Sequence, residues 1–278
     1  MPHRVPFDEL QSARFHSYLM SRLRRLSGLV PVSEFVVESV WSLTFDVKLS
    51  PTRPGFSDRA VGVAAGALGY CMVPHRGEVD LSECLGKDLR TIVAKDAALR
   101  TALLDAGFGA VGATMSARNV DEIVLSGAPS NQGEERARSI GSYLAVGLGI
   151  SRRLVLVGAV PSLIGALVGH GFSVSAMDYD PELIGGVVEG VTIQWGGDLA
   201  NSLSDCDVVL ATGLVIGTGL VETLIDLKRR FGYRLALYAQ SGSRIAPFLC
   251  EEGVDIVFAE AFPHYLVGGT SAITVYSA

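Results

Sequence analysis

The chain has 278 residues, 49% of them hydrophobic and 19% charged, with 32 glycines, which describes a compact folded protein with many tight turns. A net charge of −6, with Lys48, Lys87, Lys95 and Lys228 as the lysines, disfavours nucleic acid as a partner. Cys71, Cys84, Cys206 and Cys250 are too scattered for a zinc ribbon or redox dithiol, and no apolar run approaches the roughly 20 residues of a membrane helix. The first ten residues carry charges and prolines where a signal peptide would be apolar, so the expectation is a cytoplasmic protein with no membrane partner.

In chain order, residues 8–27 place Leu19, Leu23 and Leu26 on one helical face, with Arg22, Arg24 and Arg25 on the wet side. The β-branched and aromatic stretches 32–40 and 42–49 predict a hairpin, and 59–65 a third strand after a proline-containing turn. From 80 to about 118 the pattern is helical, clearest over 88–94 and 96–106, before a small-residue run at 107–117. The turn-rich stretch 126–132 marks a boundary, giving domains 1–126 and 127–278. Asn131 caps the next helix with Glu134 as its reciprocal partner, and Ile140, Leu144 and Leu148 face a core.

Beyond it, short apolar strands at 154–157, 173–177, 191–194, 207–210, 235–238 and 254–258 alternate with helices, notably 161–170, 219–231 and 244–252. The predicted fold class is α/β. A small α+β N-terminal domain, a three-stranded meander plus helices, precedes a Rossmann-like doubly wound parallel sheet with its ligand at the carboxyl ends of the strands.

The stretch from Leu154 to Leu183 carries the ligand expectation. A buried strand runs into a tight turn at Gly158, Ala159, Val160 and Pro161, a helix follows, and the next strand ends at Asp178 and Tyr179. The helix start and an acid about 20 residues later suit a ribose-bearing ligand, but the turn lacks the three-glycine fingerprint, which disfavours a pyrophosphate. S-adenosylmethionine, with a ribose and no phosphate, remains compatible.

Asp198 follows the third strand as an adenine contact or helix cap, and Thr212, Gly213 and Thr218 follow the fourth. Ser241, Gly242 and Ser243 after the fifth suit a carboxylate or other anion, and Glu260, His264 and Tyr265 after the sixth suit a general base. His3, His16, His75 and His170 show no metal-ligand spacing, no Gly-x-Ser-x-Gly elbow is present, and no lysine lies on the rim to anchor pyridoxal phosphate.

The segments VGAVPSLIGAL, DYDPEL, SDCDVVLATGLVIGTGLVETL and YAQSGSRIAPFLCEEGVDIVFAEAF, with AVGVAAGAL and GFGAVGATMSARNV in the front half, resemble bacterial and archaeal heavy-metal-chelation proteins. The resemblance implies an enolase-N-terminal-like front domain and a Rossmann-like rear domain. Relatives tend to carry Gly-Pro-Ser/Thr where this chain has Ser241, Gly242 and Ser243, and an asparagine near Gly217.

The resulting expectation is a divergent member from specialised metabolism that uses S-adenosylmethionine as substrate, with no tightly bound cofactor or metal. It would close the aminobutyrate moiety to a 1-aminocyclopropane-1-carboxylate or azetidine product and release methylthioadenosine. A methyltransferase and a non-catalytic binder of a metal chelate or small anion are the alternatives. The base-rate assembly is a homodimer.

Overall fold

A computed structural model describes residues 9–47, 56–72, 79–112, 118–148, 152–262 and 269–278. Helix α1 (Glu9–Leu26) buries Phe15, Leu19 and Leu23, with Arg24 and Arg25 exposed in its last turn, where the negative end of the helix dipole favours them. Arg22 instead lies over Phe248 and pairs with Glu251.

The stretch expected as a first strand begins as a 3₁₀ turn, Val32–Phe35, with Glu34 N–H donating to the Pro31 carbonyl. Proline's fixed φ sets that turn and Phe35 anchors it in the core, which outweighs the β-branched composition. The extended chain starts at Ser39. Strands β1 (Ser39–Val47), β2 (Phe56–Ala64) and β3 (Leu68–Met72) form the antiparallel meander. The helical pattern at 88–94 resolves into the 3₁₀ turn Leu89–Thr91, capped by the Asp88 carboxylate. Helix α2 (Ala97–Ala110) is capped by Asp96 and continues past the expected end through Gly107, where a side chain would collide with Leu23 of α1.

The rear part comprises β4 (Arg118–Leu125), α3 (Pro129–Leu148), β5 (Arg153–Val157), α4 (Pro161–Gly169), β6 (Ser173–Asp178), β7 (Val187–Val188), β8 (Val191–Trp195), α5 (Leu199–Leu203), β9 (Val208–Thr212), α6 (Leu214–Thr218), α7 (Leu220–Phe231), β10 (Arg234–Ala239), α8 (Leu249–Glu252), β11 (Ile256–Glu260) and β12 (Ser271–Ser277). Six parallel strands run β8-β6-β5-β9-β10-β11, which from β5 onward is the order 3-2-1-4-5-6 of doubly wound nucleotide-binding sheets. β12 adds antiparallel to β11 and β4 antiparallel to β12, so the large sheet draws its outermost strand from residues upstream of 127. The helix expected over 244–252 starts as a 3₁₀ turn at Ala246–Phe248, because Pro247 has no N–H to give.

Strand alternation sorts the core. Leu154, Leu156, Val208, Leu210, Ala236 and Phe258 meet α3 and α4 on one face. Val155, Val157, Val209, Leu235, Leu237 and Val257 face the opposite way, into a core continuous with α1, α2 and the front sheet. The front unit therefore serves as one covering layer of the large sheet. Among the described residues no helix is long and apolar enough to cross a membrane.

Candidate functional site

In a sheet of this order, the connections diverge between β5 and β9, and the crevice at their carboxyl ends is where ligands sit. Gly158 ends β5 with φ +95°, and a Cβ there would run into the Thr212 hydroxyl at the end of β9. Gly158→Ala is therefore expected to destabilise the protein by more than about 1 kcal/mol in denaturant titration, through both the left-handed backbone and the collision. A melt matching the wild type would contradict that geometry.

The bend's amides are turned to internal use. Gly158 N–H donates to the Met177 carbonyl, Val160 N–H to the Gly158 carbonyl, and Ala159 N–H to Asp178 Oδ2 at 2.7 Å. Asp178 Oδ1 accepts the N–H groups of Tyr179 and Asp180. Pro161 has no N–H, so none of these four positions offers a phosphate the amides of a dinucleotide cradle.

Tyr179 and Trp195 meet edge to face at 5.9 Å, and burial, then the neighbouring Asp178, raises the Tyr179 phenol above its ordinary value. Asp198 is exposed and accepts Asn201 Nδ2–H, making no side-chain cap to α5. Thr212 is buried against Gly158, and Gly213 packs where a Cβ would strike the Ser241 carbonyl. Thr218 lies at the far end of α6, its hydroxyl donating to the Leu214 and Val215 carbonyls.

Ser241 and Ser243 are buried, and their loop closes the free edge of β3. Ser241 Oγ accepts Met72 N–H, and Gly242, at φ +66°, donates its N–H to the Tyr70 carbonyl. Asp105 of α2, which the sequence reading did not single out, completes the tie. Its carboxylate accepts Tyr70 N–H at 3.0 Å, Arg244 N–H at 2.7 Å and Ile245 N–H at 3.2 Å. Burial pushes that carboxyl up to about 7, against the pull of the three amides and the Arg244 charge. A lone acid inside the apolar run ALLDAGF was the available clue.

Glu260 is fully buried. Arg136 of α3 grips both its oxygens at 2.6 Å, while Tyr238 Oη, Gln240 Nε2 and Ser271 Oγ donate to the same carboxylate. His264 and Tyr265 lie outside the described residues. Phe262, two residues past β11, stacks on Tyr70 at 4.8 Å and lies 5.4 Å from Trp41, so the rear rim meets an aromatic face of the front sheet. Among the described residues no cluster of His, Cys, Asp or Glu forms a metal site.

No protein-family model matches the sequence, and no curated protein does. Solved structures do match. The fold resembles two DUF364-family proteins. One, of unknown function, from Desulfitobacterium hafniense DCB-2, is 15% identical with a TM-score of 0.59, over 93% of this chain and 99% of that one. The other, also of unknown function, from Pyrococcus horikoshii, is 12% identical with a TM-score of 0.54, over 94% of this chain and 99% of that one. The likeness covers both the front meander and the large sheet, and at these identities it is a likeness of fold.

Proposed function

We propose that the crevice at the carboxyl ends of β5, β6 and β9 binds S-adenosylmethionine and that the protein cyclises its aminobutyrate moiety. The observation that carries the reading is the bond from Ala159 N–H to Asp178 Oδ2. It ties the glycine bend to the acid, withdraws the amide a phosphate would need, and leaves Oδ2 with acceptor capacity for a ribose hydroxyl. A sugar without a phosphate is the ligand such a site prefers.

In the reaction a base removes the α-proton, the α-carbon bonds to the γ-carbon, and the γ-carbon–sulfur bond breaks. The electron pair leaves on sulfur, giving 1-aminocyclopropane-1-carboxylate, methylthioadenosine and a proton. His264 and Tyr265, which follow Glu260 in the sequence, are assigned the proton transfer. The heavy-metal-chelation resemblance, a cytoplasmic location and a homodimer complete the proposal.

Incubation with S-adenosylmethionine alone should release methylthioadenosine. Release of S-adenosylhomocysteine would mean methyl transfer instead, and no calorimetric binding would remove both readings. Asp178→Ala is expected to weaken binding about 10- to 100-fold, the cost of hydrogen bonds to a charged group, with Asp178→Asn, which keeps an acceptor for the turn, intermediate.

A further inference from the structure

We infer that Trp195, with Tyr179 beside it, is the platform for the purine base of the ligand. The inference rests on the sugar assignment to Asp178 and extends it. β6 and β8 are adjacent and parallel, and Asp178 is paired directly with Trp195 in their register. One strand spacing, about 4.8 Å, separates the acid from the indole's backbone position. A nucleoside presents its hydroxyls and its base on neighbouring carbons of one small ring, so an acid and an aromatic one strand apart meet both.

Local sequence keeps the rings at this place. Trp195 is followed by Gly196 and Gly197. A Cβ at Gly196 would strike the Tyr179 ring, and one at Gly197 would strike the Trp195 indole, so the glycine pair admits both rings against the loop. The rings brace each other edge to face at 66°, and both remain half-buried rather than sealed. That arrangement holds an aromatic surface steady at the rim, which a flat heterocycle recognises without reading its edge. The ligand class is thus a phosphate-free purine nucleoside and its 5′-sulfonium derivatives.

Trp41 and Trp195 are the two tryptophans, so Trp41→Phe leaves Trp195 as the sole indole fluorophore. Adenosine, methylthioadenosine and S-adenosylmethionine should each quench it, and Trp195→Ala should weaken their binding about 10- to 100-fold, with Trp195→Phe retaining most of the affinity. Absence of quenching in the Trp41→Phe protein while calorimetry shows binding overturns the platform, whether or not Trp195→Ala folds. Full affinity in Trp195→Ala beside a loss in Asp178→Ala also overturns it and leaves the sugar assignment standing. No binding of any nucleoside to the wild type removes both.

Discussion

Glu260→Gln is expected to lower stability by about 3–5 kcal/mol, the usual cost of stripping one partner from a buried ion pair. Glu260 is fully buried and Arg136 nearly so, and the carboxylate also gathers donors from β10, the loop after it, and β12. For a protein of this size each kcal/mol moves the thermal midpoint about 2–4 °C, so the shift is easily read in a melt. Replacing both charges, Arg136→Met with Glu260→Leu, should recover part of the loss, because an apolar pair carries no stranded charge. A midpoint for Glu260→Gln within about 2 °C of wild type would show that this network does not hold α3 to the sheet.

Asp105→Ala should cost a similar amount, since it strands three amides at about 1–3 kcal/mol each before relaxation. Its pH signature is more specific. Burial lowers buried His16 to about 4, with the Arg100 charge adding to that and the Ser12 carbonyl opposing it, while burial raises Asp105 to about 7. Their unfolded values are about 6.5 and about 3.9. His16 stays neutral in the fold, so its contribution is present above about pH 6.5 and lost as pH falls toward 4. Asp105 holds its proton in the fold, so its contribution is full below ~3.9 and lost as pH rises through about 7.

Between about pH 4 and 6.5 the two slopes oppose each other. Relative to wild type, His16→Gln should lose stability as pH rises through that window, and Asp105→Asn should gain it, each by up to about 1.4 kcal/mol per pH unit. Urea titrations of the three proteins across the window decide the matter. Curves that stay parallel would mean that neither group keeps an altered proton affinity in the fold.

The parallel sheet was legible in the sequence because a strand buried on both faces has to be a short, nearly unbroken apolar run. LVLV, VVLA and LALY could hardly be anything else. β4 and β12 escaped notice because they lie at or near an open edge. RNVDEIVL carries charge there and SAITVYS alternates, as one-sided strands do. The 3₁₀ turn at Val32–Phe35 was misread because composition favours strand while Pro31 decides locally.

At the candidate site, the spacing of Gly158 and Asp178 pointed to a bend and an acid, which the Ala159 N–H to Asp178 hydrogen bond joins. Asp105 and Arg136 were missed for a common reason: each earns its place through partners more than a hundred residues away, or on another element, that no local window contains. Trp195 was passed over because an aromatic at a strand end reads as core, and only the register with Asp178 gives it a neighbour of interest.

The strand that opens the large sheet, β4, finds its hydrogen-bonding neighbour only in β12, some 150 residues later. During synthesis β11 therefore presents a bare edge until β12 has left the ribosome, and β4 waits with no ladder of its own. Long-range pairing of this kind slows folding and leaves β-edges open to other chains. The acidic pair Asp121 and Glu122 on the waiting strand gives a nascent chain some electrostatic protection against pairing with its own copies over that interval.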